Sequence, residues 1–114
     1  WRIQGKTESV ANQILKDAKV LENGGVFCLV LEMVPSALAH KITTNIKIPT
    51  IGIGAGPHTS GQVLVLQDIL GMNPDFNPTF LRKYIDGSSI IKESLDNYTN
   101  DVKNGSFPNK KESF

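Results

Sequence analysis

Apolar residues recur along this chain at two different periods. Val10, Ile14, Ala18 and Leu21 fall at helical spacing and form one stripe, so a helix capped by Thr7 or Ser9 is predicted to run to about Asn23. Gly24-Gly25 is placed to end it. Val26-Phe27-Cys28-Leu29-Val30-Leu31 then forms an unbroken apolar run, which reads as a strand buried on both faces. Pro35 suits the first turn of a second helix, where its missing N–H costs nothing, and Leu38, Ala39, Ile42 and Ile46 give that helix a buried face. A second short strand is predicted at Thr50-Ile51-Gly52-Ile53.

This alternation of helix and strand, joined by connections of a few residues, predicts parallel strands in an α/β fold. Gly54-Ala55-Gly56-Pro57-His58-Thr59-Ser60-Gly61 reads as a glycine-rich loop. Gln62–Leu70 is apolar, and periodicity alone leaves helix and strand both open. Asn73-Pro74 and Asn77-Pro78 mark Gly71–Pro78 as irregular. A last helix is expected from Ser88 or Ser89, with Ile91, Leu95, Tyr98 and Val102 on one face and Gly105 at its end. The polar tail 106–114 carries Phe107 and Phe114 and is expected to dock on the surface or on a neighbour.

Two doubly buried parallel strands cannot both be open edges, so partner strands are expected N-terminal to Trp1. The opening Trp1-Arg2-Ile3-Gln4-Gly5 reads as a strand end or loop already under way. Residues 1–114 are accordingly expected to form a single partial domain, less than half of a (β/α)₈ barrel of about 250 residues.

Composition changes this picture little. The 114 residues are 39% hydrophobic and 20% charged, with a formal net charge of +1, which points to neither a nucleic-acid nor a membrane partner. One cysteine, Cys28, excludes an internal disulfide and fits a reducing compartment; its place in the apolar run predicts an inert core residue. No apolar stretch approaches the roughly 20 residues of a membrane-spanning helix.

Glu32 stands out, because it follows the apolar run directly. A carboxylate there is costly unless that end opens into a polar site, and parallel α/β sheets place their sites at the carboxyl ends of their strands. General acid/base work is the functional reading, since a partly apolar cleft raises a carboxyl's pKa toward neutrality. The competing reading is a helix-start carboxylate favoured by the dipole, three residues before Pro35. Gly52, Gly54 and Gly56 do not fit a dinucleotide fingerprint, which would need its third glycine at Pro57 or Thr59. A close backbone approach to a ligand, or a tight turn at a barrel rim, fits them better. His40 is expected on the outer side of its helix and His58 on the surface of the loop, with a ligand contact as the rarer reading; Asp68 reads as a helix-surface charge or a buried acceptor. No His, Cys, Asp or Glu set has metal-ligand spacing, and no nucleophile motif is present.

Leu29-Val30-Leu31-Glu32-Met33-Val34-Pro35, Ile48-Pro49-Thr50-Ile51-Gly52-Ile53-Gly54-Ala55-Gly56, Thr59-Ser60-Gly61-Gln62-Val63-Leu64-Val65 and Asp68-Ile69-Leu70-Gly71 together resemble the ketopantoate hydroxymethyltransferase family. Gln4-Gly5-Lys6, Gly105-Ser106-Phe107-Pro108 and Ser113-Phe114 match its style as well, so the resemblance spans essentially the whole chain. It implies the C-terminal part of a (β/α)₈ barrel. The implied activity is transfer of a hydroxymethyl group from 5,10-methylenetetrahydrofolate to 3-methyl-2-oxobutanoate, giving 2-dehydropantoate on the route to pantothenate and coenzyme A. It further implies that Glu32 is the acid/base, that Ile53, Val63 and Val65 wall the substrate's isopropyl group, and that Mg²⁺ holds the keto acid as a Lewis acid through ligands outside this chain. Ordinary core packing is the alternative for Val63 and Val65. Met33 stands where the family commonly has Cys, and Ser60 where it commonly has Asp. The resemblance also implies a homo-oligomer when full length and a soluble intracellular enzyme, cytoplasmic or, in fungi, mitochondrial. On this reading the isolated piece is inactive. Two rivals stand beside it: a phosphate-binding barrel using Gly54–Gly56 as its cradle, and a non-catalytic assembly fragment.

Overall fold

A computed structural model describes residues 2–114. The described residues divide into two compact units, one formed by residues 2–64 and 79–81, the other by residues 65–78 and 82–114.

The first unit is α/β. Helix α1 covers Glu8–Asn23, with Thr7 as N-cap, its hydroxyl accepting from the Val10 N–H at 3.5 Å. Helix α2 covers Ser36–Asn45. Strands β1 (Leu29–Glu32), β2 (Thr50–Ile53) and β3 (Gly61–Gln62) form one sheet in that order, parallel throughout. Leu31, Leu38, Ala39, Ile42, Ile46, Ala18, Val34 and Ala55 make the core between helices and sheet. Burial of apolar surface on α2 is nearly complete, with Ala39 and Ile42 at 0% exposure, which is what the predicted Leu38/Ala39/Ile42/Ile46 face requires. On α1 only Ala18 is fully buried; Val10 and Leu21 stay exposed. The Glu22 carboxylate at the end of α1 accepts the backbone N–H groups of Lys47 and Ile48, tying α1 to the turn before β2.

The structure departs from the sequence pattern at several points. The first strand begins at Leu29, not Val26. The Val26 N–H goes back to the Leu21 carbonyl at 3.3 Å, so residues 26–28 close α1 rather than enter the ladder, which opens with Leu29 N–H to Pro49 O. Cys28 therefore precedes the strand and is half-buried, and Phe27 is exposed. Neither face symmetry nor double burial holds for β1. Leu31 is buried, whereas Val30 is 62% exposed and Glu32 is exposed, because helices cover only one face of the sheet. Pro35 is the N-cap of α2 rather than its first helical residue. The sheet has a third strand, because Gly61 closes the loop by pairing with Ile51.

In the second unit, α3 is a single turn, Leu66–Ile69, and α4 covers Gly87–Asn104. The apolar stretch after β3 thus becomes a short irregular segment followed by helix. Segment 84–88 is laid along 69–71 by the bonds Tyr84 N–H to Ile69 O, Gly87 N–H to Leu70 O and Ser88 N–H to Gly71 O. The cap of α4 is Asp86, not Ser88 or Ser89. Its carboxylate accepts the Ser89 N–H (3.2 Å) and hydroxyl (2.8 Å), a pairing that outbids a serine cap. Gly105, with φ 72°, ends the helix in the left-handed conformation. The face of Ile91, Leu95, Tyr98 and Val102 is exposed. The tail folds back on α4: Ser106 bonds to Asp101, and the Phe107 ring stands edge-on to Tyr98 at 5.5 Å. No helix among the described residues is long and apolar enough to cross a membrane.

Candidate active site

Strand alternation sorts the sheet residues onto two faces. Leu29 pairs with Thr50 and Leu31 with Gly52, and these four lie toward the helices, where Leu31 and Thr50 are buried. Val30 pairs with Ile51 and Glu32 with Ile53, so these four share the face that no helix of the unit covers. The Val63 N–H donates to the Gly52 carbonyl at 3.0 Å, which extends the β2–β3 ladder one residue past Gln62. In that register Val63 stands beside Ile53. A row Glu32–Ile53–Val63 therefore crosses the carboxyl edge of the three strands. Val65 lies in the second unit, where it is the N-cap of α3.

The backbone at this edge is tightly specified. Met33, directly after Glu32, has φ 53°, a left-handed conformation that costs an unbranched residue free energy unless its surroundings hold it. They do hold it: the Met33 N–H donates to Ile53 O at 2.9 Å, and its carbonyl accepts from Gln4 N–H at 2.8 Å. The Phe80 ring and the Met33 sulfur flank Gly54; a Cβ on that glycine would lie 2.8 Å from the Met33 Sδ and 3.2 Å from the ring. Phe80 escapes sequence reasoning because it lies in an irregular segment with no periodicity to place it.

Residues 54–60 join two parallel strands in seven residues, where a helical crossover of a dozen or more is usual. Gly54 (φ 62°) and Gly56 (φ 77°) make the sharp return possible. The loop passes on the helix-covered side. Gln62 donates to Thr59 Oγ1 and to the Gly56 carbonyl, both at 2.9 Å. Ser60 has a structural part that the sequence left open: its Oγ accepts the Thr50 N–H at 3.1 Å, and its own N–H donates to Thr50 Oγ1 at 3.2 Å. With Thr43 Oγ1 2.8 Å away, the fully buried Thr50 hydroxyl is satisfied. His40 and His58 are both exposed, and the fold brings their rings together at a tilt of 37°. Asp68 is half-buried on α3.

Chemically, this edge offers one exposed carboxylate beside branched apolar side chains. Among the described residues no three His, Cys, Asp or Glu side chains come together.

The ketopantoate hydroxymethyltransferase family model matches residues 1–110. The chain is 51% identical over 110 residues to a 3-methyl-2-oxobutanoate hydroxymethyltransferase of Francisella tularensis (strain FSC 198), covering 96% of this chain and 42% of that protein. It is 53% identical over 108 residues to the protein of the same name from Coxiella burnetii (strain CbuK_Q154), covering 95% of this chain and 41% of that one. The chain thus spans about two-fifths of the length of the curated relatives it matches.

Proposed function

The chain belongs to the ketopantoate hydroxymethyltransferase family, and on that premise we propose that it is the C-terminal part of a 3-methyl-2-oxobutanoate hydroxymethyltransferase with Glu32 as its acid/base. The observation that carries this is the row Glu32–Ile53–Val63 at the carboxyl edge of a parallel sheet, on the face opposite the helices. In a (β/α)₈ barrel that face is the interior and that edge is the catalytic rim. The exposure of Val30 on the same face fits a barrel interior completed by strands outside these residues.

In this reading the Glu32 carboxylate takes the C3 proton of 3-methyl-2-oxobutanoate. The resulting enolate carbon bonds to the one-carbon unit of 5,10-methylenetetrahydrofolate, the carbon–nitrogen bonds to the folate break, and one water is consumed in releasing 2-dehydropantoate. Ile53 and Val63 form the apolar wall for the isopropyl group; Val65, which the family resemblance assigns to the same wall, belongs to the second unit. Branched side chains there exclude water and fix the C3–H toward the carboxylate. Mg²⁺, held by residues of the full-length protein outside this segment, would supply Lewis-acid stabilisation of the keto acid. The same reading makes the full-length protein a homo-oligomer acting on small molecules, and leaves the 114 residues alone without turnover.

Glu32→Gln in the full-length protein is the test. Turnover is expected to fall by about 10²–10⁴-fold, with the KM for the keto acid within a few-fold of wild type. Near wild-type turnover would remove Glu32 from the chemistry. Titration with the keto acid against a sugar phosphate separates this reading from a phosphate-binding barrel.

A further inference from the structure

The chain has two histidines, eighteen residues apart, and the fold brings their rings together. His40 is on α2, one turn after Ser36, so the two share a helix face. The β2–β3 loop runs along that face. A Cβ on Gly56 would meet the Ser36 hydroxyl and lie 2.5 Å from its Cβ, and one turn further on the His58 ring centre is 4.8 Å from that of His40, the planes tilted by 37°. Both rings are exposed, so neither fills the core. The frame beneath them is fixed. α2 is anchored by Leu38, Ala39 and Ile42, and the loop by the Ser60–Thr50 and Gln62–Gly56 bonds. α2 packs on the sheet face opposite Glu32, so this pair is separate from the acid/base row.

Neutral imidazole is a preferred ligand of borderline transition-metal dications. With a metal–nitrogen distance of roughly 2.1 Å, such an ion sits about 3.2 Å from each ring centre. With one nitrogen of each ring turned to a shared ion, ring centres at the observed 4.8 Å would subtend about 97° at it, between the square-planar and tetrahedral angles.

We propose that His40 and His58 form a two-imidazole chelating site for a borderline divalent transition metal, Zn²⁺, Ni²⁺ or Cu²⁺, which clips the β2–β3 loop to α2. Mg²⁺ does not compete, because it selects oxygen ligands in octahedral geometry. The bound ion stabilises the folded protein by linkage.

The test uses tag-free full-length protein in excess Mg²⁺, titrated with Ni²⁺ by calorimetry and loaded with Cu²⁺ for electron paramagnetic resonance. One equivalent is expected to bind, with the Cu²⁺ spectrum showing coupling to two imidazole nitrogens. His40→Ala and His58→Ala are each expected to weaken Ni²⁺ binding on the order of a hundredfold, and the double variant no further than either single one, because either loss destroys the chelate. Circular dichroism checks that each variant is folded, as their exposed positions lead one to expect. Unchanged Ni²⁺ affinity in both single variants, or a one-nitrogen Cu²⁺ spectrum, would overturn the site and leave only a ring stack.

Discussion

Glu32 owes its position to one alternation and one strained neighbour. The alternation along β1 turns Leu31 into the core and Glu32 to the opposite face, and Met33 at φ 53° ends the strand directly after it. The aliphatic part of this row needs no special backbone, whereas the return loop does. Gly56 combines a left-handed φ with direct contact to Ser36, so Gly56→Ala meets both the conformational cost of about 1–2 kcal/mol and a collision. A lowered melting temperature is expected, with part of the loss recovered by adding Ser36→Gly, which removes the clash with the Ser36 side chain and leaves the φ cost and a tight 3.1 Å approach to the residue 36 Cα. Full recovery in the double variant would show that φ carries nothing. His40 and His58 are a residue-scale finding of another kind. Each looked like an ordinary surface histidine, and nothing in their spacing of eighteen residues announces a pair.

Among the elements, α2 and α4 contrast in how they are held. α2 has no side-chain cap and lives by burial, with Ile42 wholly inside. Ile42→Ala is expected to destabilise the protein by about 2–5 kcal/mol and Ile42→Val by about 0.5–1.5 kcal/mol in denaturant unfolding. α4 shows the reverse: its apolar face is exposed and its start depends on Asp86. The Ser89 hydroxyl and then its N–H hold the Asp86 carboxyl below its ordinary value of 3.8, with Lys83 adding a smaller attraction against the cost of desolvation. A carboxyl lowered in the folded state contributes stability that is complete above its unfolded value and is lost as pH falls through the lower folded one. The first turn of α4 is therefore expected to be indifferent to pH near neutrality and to fray only below about 3.8. Amide exchange at Ser89 and Ile90 followed from pH 5 to pH 2.5 checks this, and Asp86→Asn should flatten the profile. Helical periodicity made α1, α2 and α4 legible from sequence because each repeats its signal over several turns. The two-residue β3 has no room for a repeat, and its pairing with Ile51 depends on a loop return that only the folded backbone shows.

For the molecule as a whole, the uncovered sheet face is the consequential feature. Val30, Ile51, Ile53 and Val63 present an apolar surface beside Glu32, of the kind that a barrel interior buries. If this face is completed by the rest of a full-length barrel, Val30→Asp in that protein should sharply reduce soluble yield, while the same change at the exposed Val20 of α1 should leave it nearly unaffected. Equal yields from the two variants would argue against a buried interior at Val30.

The sequence by itself determined the α/β class, the extent of α1 and β2, the buried face of α2, and the motifs that tie the chain to its family, because each is a local pattern repeated along the chain. It also singled out Glu32, since a charge after an apolar run is visible without coordinates. Tertiary structure alone decided which face of β1 is covered, that Ser60 serves Thr50, that Phe80 joins Met33 over Gly54, and that His40 meets His58. Those relations join residues on different elements, and their distances are set by packing and by the return of a seven-residue loop rather than by any period in the chain.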